Sequence, residues 1–216
     1  MTARNFGKGV IPHGRTSVVT DPHELGTVCG MDGVRYMHEA GDGLPMRQLI
    51  DIPSCVPAVP GLENAGAEFF AKEVEELSSM ERVIGLAEVM DFLAVIHGED
   101  RMMDIIDVMD KKGLYLQGHA PSVSGRMLSA YLCGGPNTCH ESRERNEALE
   151  KLRSGMYVDA RESSITKNVE EICEGVKGVR FFDHFCLCTD EREADDILHA
   201  GHMNDVVRTA IRSGMD

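Results

Sequence analysis

Residues 83–121 read VIGLAEVMDFLAVIHGEDRMMDIIDVMDKKGLYLQGHAP. The stretch opens with a short β-prone run at 83–87 and closes with another at 114–117. Between them Met102, Ile105, Ile106 and Met109 recur at helical spacing, as in a helix that buries one face on a sheet. Strand, helix and strand in this order make a βαβ unit, whose two strands are parallel and joined by a right-handed crossover. An ionisable residue follows each run at once or nearly so: Glu88 the first, His119 the second.

The alternation extends outward on both sides. Further β-prone runs fall at 16–20, 48–52, 137–139, 157–160 and 182–188, so seven strands are predicted, starting roughly 20 to 35 residues apart. Helical apolar spacing recurs at Val28, Met31, Val34 and Met37 and again at Phe70, Val74, Leu77 and Met80. Asn204 stands where an N-cap would, ahead of Val206, Val207, Ala210 and Ile211. Two α/β architectures compete, a (β/α)8 barrel and an open doubly wound sheet. Neither G-x-G-x-x-G nor G-x-x-x-x-G-K-[ST] follows any predicted strand, which favours the barrel.

Composition agrees with one globular domain over residues 1–216. The chain has 22 Lys+Arg against 36 Asp+Glu, a formal net charge of −14, and is 42% hydrophobic. The acidic balance and the lack of a clustered basic face argue against a nucleic-acid partner. No 18-residue apolar stretch or basic-then-apolar leader is present, so neither a membrane partner nor a secretory route is expected. Seven cysteines, an odd number with no C-x-x-C, point to a reducing cytoplasm rather than a disulfide framework or zinc knuckle. Cys186 and Cys188 alternate on a predicted strand and are expected to be two buried thiols on one face.

Ionisable groups follow nearly every predicted strand: Asp21-Pro22-His23-Glu24, Glu88, His119, His140-Glu141, Arg161-Glu162 and Thr189-Asp190, with Pro53-Ser54-Cys55 after the second. The carboxyl ends of barrel strands converge on one mouth, so such residues can build a site although they lie far apart in sequence. Imidazoles and carboxylates from separate strands suit a divalent transition ion with an open position for water. Glu88, His119, His140 and Asp190 form the candidate set. A single histidine beside a turn is ordinarily a hydrogen-bonded rim residue; the weight lies in the four together. Arg161 is equally consistent with substrate contact and with a rim ion pair to Glu141 or Glu162. His97-Gly98-Glu99 matches the H-x-E of zinc deaminases, but no P-C-x-x-C follows, and it reads as a loop at a helix start.

Gly118-His119-Ala120-Pro121, Asp21-Pro22-His23-Glu24, Ser54-Cys55-Val56-Pro57-Ala58, Gly85-Leu86-Ala87-Glu88-Val89-Met90, His140-Glu141 and Cys188-Thr189-Asp190 resemble, in the same order, the bacterial adenine deaminases of the amidohydrolase superfamily. The resemblance runs essentially end to end and covers roughly a third of a typical member. It implies a metal-dependent hydrolase that converts adenine to hypoxanthine and ammonia, with Mn2+ or Fe2+, or else Zn2+, as cofactor. It further implies His119, His140 and Glu88 as metal ligands, with Glu88 able to bridge two ions. Asp190 is implied as a ligand and general base, and His23, Ser54 and Cys55 as the lining of a purine pocket.

The chain departs from the pattern in lacking the His-x-His that ends the first barrel strand in that superfamily. His199 and His202 lie near the far end and are expected to precede or cap a helix. Glu191 replaces a usual second Asp, and Ser163 a usual Gly. The expected fold is therefore a partial TIM-like barrel of strands two to eight, whose open edges invite homo-oligomerisation. The alternatives are a non-catalytic remnant or interaction fragment of the barrel, and another amidohydrolase acting on a cyclic amide or amidine.

Overall fold

Seven parallel strands alternate with helices over residues 1–215, which the computed structural model describes. The strands are β1 (Ser17–Thr20), β2 (Arg47–Ile52), β3 (Val83–Val89), β4 (Tyr115–Gly118), β5 (Thr138–Cys139), β6 (Tyr157–Arg161) and β7 (Phe185–Cys188). The helices are α1 (Ala3–Val10), α2 (His23–Cys29), α3 (Met31–Glu39), α4 (Ala71–Leu77), α5 (Phe92–His97), α6 (Asp100–Lys111), α7 (Gly125–Cys133), α8 (Arg145–Arg153), α9 (Val169–Val176), α10 (Ala194–His199) and α11 (Met203–Arg212).

The strands pair in sequence order, β1 to β4 in one group and β5 to β7 in the other, every pairing parallel. The groups meet where the Gly118 amide donates to Thr138 Oγ1 at 2.9 Å and the Asn137 amide to the Leu116 carbonyl at 3.4 Å. A Cβ on Gly118 would stand 2.3 Å from the Thr138 carbonyl, so this close approach needs glycine. The result is a curled half-barrel sheet with helices on its outer face.

Ile50, Ile52 and Leu86 pack against Val74 and Leu77 of α4, Ile105 and Met109 of α6, and Leu128 of α7. Fully burying each such side chain contributes about 1.5–3 kcal/mol. A second cluster joins Val158 and Ala160 of β6 to α8, α9 and α11. A third, Val10, Met46 and Ile197, brings α1 against α10.

One irregularity of β3 matters for function. Leu86 pairs with Leu116 and Val89 with Gly118, so three residues of β3 span two of β4. This bulge lets Leu86 and Val89 both face the helical core, and it turns Glu88 into the barrel mouth. Glu88 therefore lies within the strand rather than after it.

Other expectations are corrected. The apolar series from Val28 to Met37 is two helices, because Gly30 takes φ 63° and ψ −145° between α2 and α3; Val28 is 70% exposed. Asn204 lies inside α11, where its Oδ1 accepts the His202 amide at 2.8 Å. The run at 182–188 is strand only from Phe185. Cys186 is exposed and Cys188 half-buried, so they are not a buried pair; Cys188 lines an open cleft together with Leu187.

Candidate metal centre

Three strand ends bring a carboxylate and two imidazoles to one point. His119 Nδ1 lies 2.6 Å from Glu88 Oε2, and His140 Nε2 lies 3.1 Å from the same oxygen. The two imidazole rings meet edge to face, their centroids 5.4 Å apart. One ligand atom from each of Glu88, His119 and His140 lies within 4.8 Å of the other two. A second group, His140, Glu141 and Asp190, meets the same criterion, so His140 is common to both. Glu88, His140 and Asp190 open into a cleft of about 1080 Å3 that Asp21 and His23 also wall.

The surroundings hold these donors in place. Ser54 Oγ donates to the Glu88 carbonyl at 2.8 Å and approaches the Ala87 carbonyl at 3.2 Å. The His119 amide donates to Tyr131 Oη at 2.9 Å, and that hydroxyl donates to the Val89 carbonyl at 3.2 Å. Tyr131 thus ties the ends of β3 and β4 together. Sequence reading missed it, because a tyrosine on the apolar stripe of a helix looks like ordinary core.

Asp190 stands beside the donor cluster, and Arg161 Nη1 pairs with both its Oδ2 and Glu141 Oε1. Its backbone is left-handed at φ 53°, a conformation that an aspartate tolerates at modest cost and that concentrates at functional sites. His23 also reaches the cluster, its Nδ1 3.8 Å from Glu88 Oε1 and 2.8 Å from Asp21 Oδ2. Ser54 and Cys55 do not line the cleft. Both are buried behind its wall, with Ser54 committed to the Glu88 carbonyl.

Burial alone would raise the Glu88 carboxyl, but the hydrogen bonds and charge of His119 and His140 outweigh it and hold Glu88 far below the usual range. Burial opposes protonation of His140, and Glu88 overrides it and raises its pKa. Burial likewise opposes His23, which Asp21 brings up to about 9, while burial pushes Asp21 to about 6. An ionised carboxylate between two imidazoles, each from a separate strand, is a donor set that fits a divalent transition ion. The group Asp21, His23 and Cys55 fits less well, because burial pushes the Cys55 thiol far up and a thiol ligates as thiolate.

Asp51 lies deeper in β2, 3% exposed, and burial followed by the charge of Asp21 pushes its pKa up to about 7. Between the ordinary aspartate pKa and about 7 the folded state keeps a proton that the unfolded state releases, so this group makes the fold less stable as pH rises through that window. We expect Asp51→Asn to unfold about 2 kcal/mol less readily than the parent at pH 8, with the gain vanishing at pH 4. Urea unfolding at both pH values checks this. An equal difference at the two pH values would show that Asp51 is not the group responsible.

The fold and the site define a class, a parallel α/β half barrel with a carboxylate–imidazole donor cluster at its carboxyl-end rim. No family model matches the chain. An adenine deaminase of Clostridium acetobutylicum is 38% identical over 216 residues, 100% of this chain and 38% of the relative. One of Staphylothermus marinus is 41% identical over 221 residues, with 100% and 36% covered. One of Bacillus licheniformis is 40% identical over 218 residues, with 100% and 37% covered. The chain thus corresponds, end to end, to a segment of the adenine deaminases, and it spans well under half the length of these curated relatives.

Proposed function

We propose that Glu88, His119 and His140 hold a divalent cation at the rim, with Asp190 beside it, and that the protein to which this segment corresponds deaminates adenine to hypoxanthine and ammonia. The observation that carries this reading is the meeting of one carboxylate and two imidazoles from three strands, in a chain matched throughout to adenine deaminases. Mn2+ or Fe2+ suits these donors, and Zn2+ is compatible with them. A divalent ion held there supplies Lewis acidity, which makes hydroxide available near neutral pH.

The chain's own groups account for binding and proton transfer. Asp190 takes a proton from the attacking water and returns it to the amino nitrogen as the bond from C6 to that nitrogen breaks and a bond from C6 to oxygen forms. The ion pair with Arg161 fixes Asp190 for both transfers. His23, backed by Asp21, contacts the purine from the cleft wall. Glu88, with imidazoles on both its oxygens, is placed to serve a second ion as well. On this reading the seven strands count as two to eight of a (β/α)8 barrel, residues 1–216 form one domain, and the setting is cytoplasmic purine salvage. Among the described residues no helix is long and apolar enough to cross a membrane.

Metal analysis combined with ammonia release from adenine tests the proposal. We expect bound Mn2+ to fall sharply in His119→Ala, and Asp190→Asn to lose turnover by roughly 100-fold or more while largely keeping its metal. Equal loss of metal in Asp190→Asn would make that residue chiefly a ligand. A chain that takes up no Mn2+ and releases no ammonia would be a scaffold without chemistry.

A further inference from the structure

Lys151, in the last turn of α8, is 0% exposed. Its Nζ donates to the Ala120 carbonyl at 2.6 Å, to Glu147 Oε1 at 2.6 Å, to Ser142 Oγ at 3.2 Å and to Cys139 Sγ at 3.3 Å. Ala120 immediately follows His119, while Cys139 precedes His140 and Ser142 lies two residues beyond it. A single buried ammonium therefore grips both segments that carry the imidazoles. Its carboxylate partner grips the same two segments again: Glu147 Oε1 accepts the Ser122 amide at 2.8 Å, and Oε2 accepts the Arg143 amide at 3.1 Å.

We propose that the Lys151–Glu147 pair is the brace that sets the separation of His119 and His140, a positioning device for the metal centre; this rests on the reading that those histidines hold a cation. A buried ammonium costs free energy unless its hydrogen bonds and counter-charge are supplied, and every partner here comes from α8 itself or from one of the two segments being held. An apolar residue of similar volume would fill the space and tie neither segment. Groups that orient metal ligands without touching the ion typically change affinity 10- to 100-fold when removed.

The test titrates the full chain with Mn2+ alone, by calorimetry, and counts imidazole nitrogens on the bound ion by pulsed electron paramagnetic resonance. The parent is expected to show two nitrogens. Lys151→Met and Glu147→Ala are expected to bind Mn2+ about 10- to 100-fold more weakly and to show fewer than two at saturation. A purely structural role for the pair would lower the melting temperature and leave affinity and nitrogen count as in the parent, and that result overturns the proposal. Should either single variant fail to fold, the double variant Lys151→Met/Glu147→Gln, which leaves no buried charge unpaired, decides by the same two readouts. Absence of Mn2+ binding by the parent itself would instead overturn the metal reading on which the brace rests.

Discussion

Glu88→Gln should take up little or no metal. Glu88 Oε2 is the one atom shared by both imidazoles, 2.6 Å from His119 Nδ1 and 3.1 Å from His140 Nε2, and it carries the cluster's central negative charge. The amide keeps the shape but removes that charge, and its nitrogen can replace the oxygen between the two rings. Loss of outer groups alone costs 10- to 100-fold in metal affinity, so loss of the shared carboxylate should cost at least about 100-fold, or about 3 kcal/mol. Two measurements check this. Metal per chain after dialysis should fall to near zero, and the rise in melting temperature that Mn2+ gives the parent should disappear, because a ligand stabilises a fold only in proportion to its binding. A Glu88→Gln chain that keeps both would remove this residue from the centre and take the functional proposal with it.

Gly118→Ala should damage fold and site together. Its added methyl would meet the Thr138 carbonyl at 2.3 Å, Tyr131 Oη at 3.0 Å and Tyr131 Cε1 at 3.3 Å. Two of these atoms belong to the joint between the strand groups and to the hydroxyl that receives the His119 amide. Neither a strand carbonyl nor a fully buried tyrosine can retreat cheaply, so the cost falls at the upper end for overpacking, about 3 kcal/mol. For a domain of this size that lowers the melting temperature by about 6–12 °C. His119 is the next residue, so Mn2+ affinity should drop as well. A variant melting at the parent temperature would mean that β4 and β5 are not so closely apposed.

The sequence makes the strand-end residues legible because a parallel βα alternation leaves only one place for its carboxyl ends to go. Glu88, His119 and His140 follow from that rule without any side-chain detail. The bulge at Leu86–Val89 does not: with strict alternation Glu88 would share a face with Leu86, so its orientation depends on an extra residue that only pairing with β4 reveals. Ser54 illustrates another limit, since the residue after a strand can turn inward and support a neighbour's carbonyl instead of facing the cleft. Asp190 reaches the second donor group as its position suggested, but its counter-ion is Arg161, for which sequence left two roles open. Lys151 carries a faint signal, standing three residues after buried Ala148 on a stripe where charge is out of place. Separating it from an ordinary surface lysine requires the coordinates.

The contact of the turn that follows α1, Ile11–His13, with α10 has a kinetic consequence. His13 Nε2 meets the Ile197 carbonyl at 2.9 Å across 184 positions of sequence, whereas the three central donors lie between residues 88 and 140. Loop-closure entropy delays distant contacts relative to near ones. The consecutive βα units that carry Glu88, His119 and His140 are therefore expected to come together before the far rim of the cleft closes, so that a nascent chain gathers these three side chains while the cleft is still open on its other side.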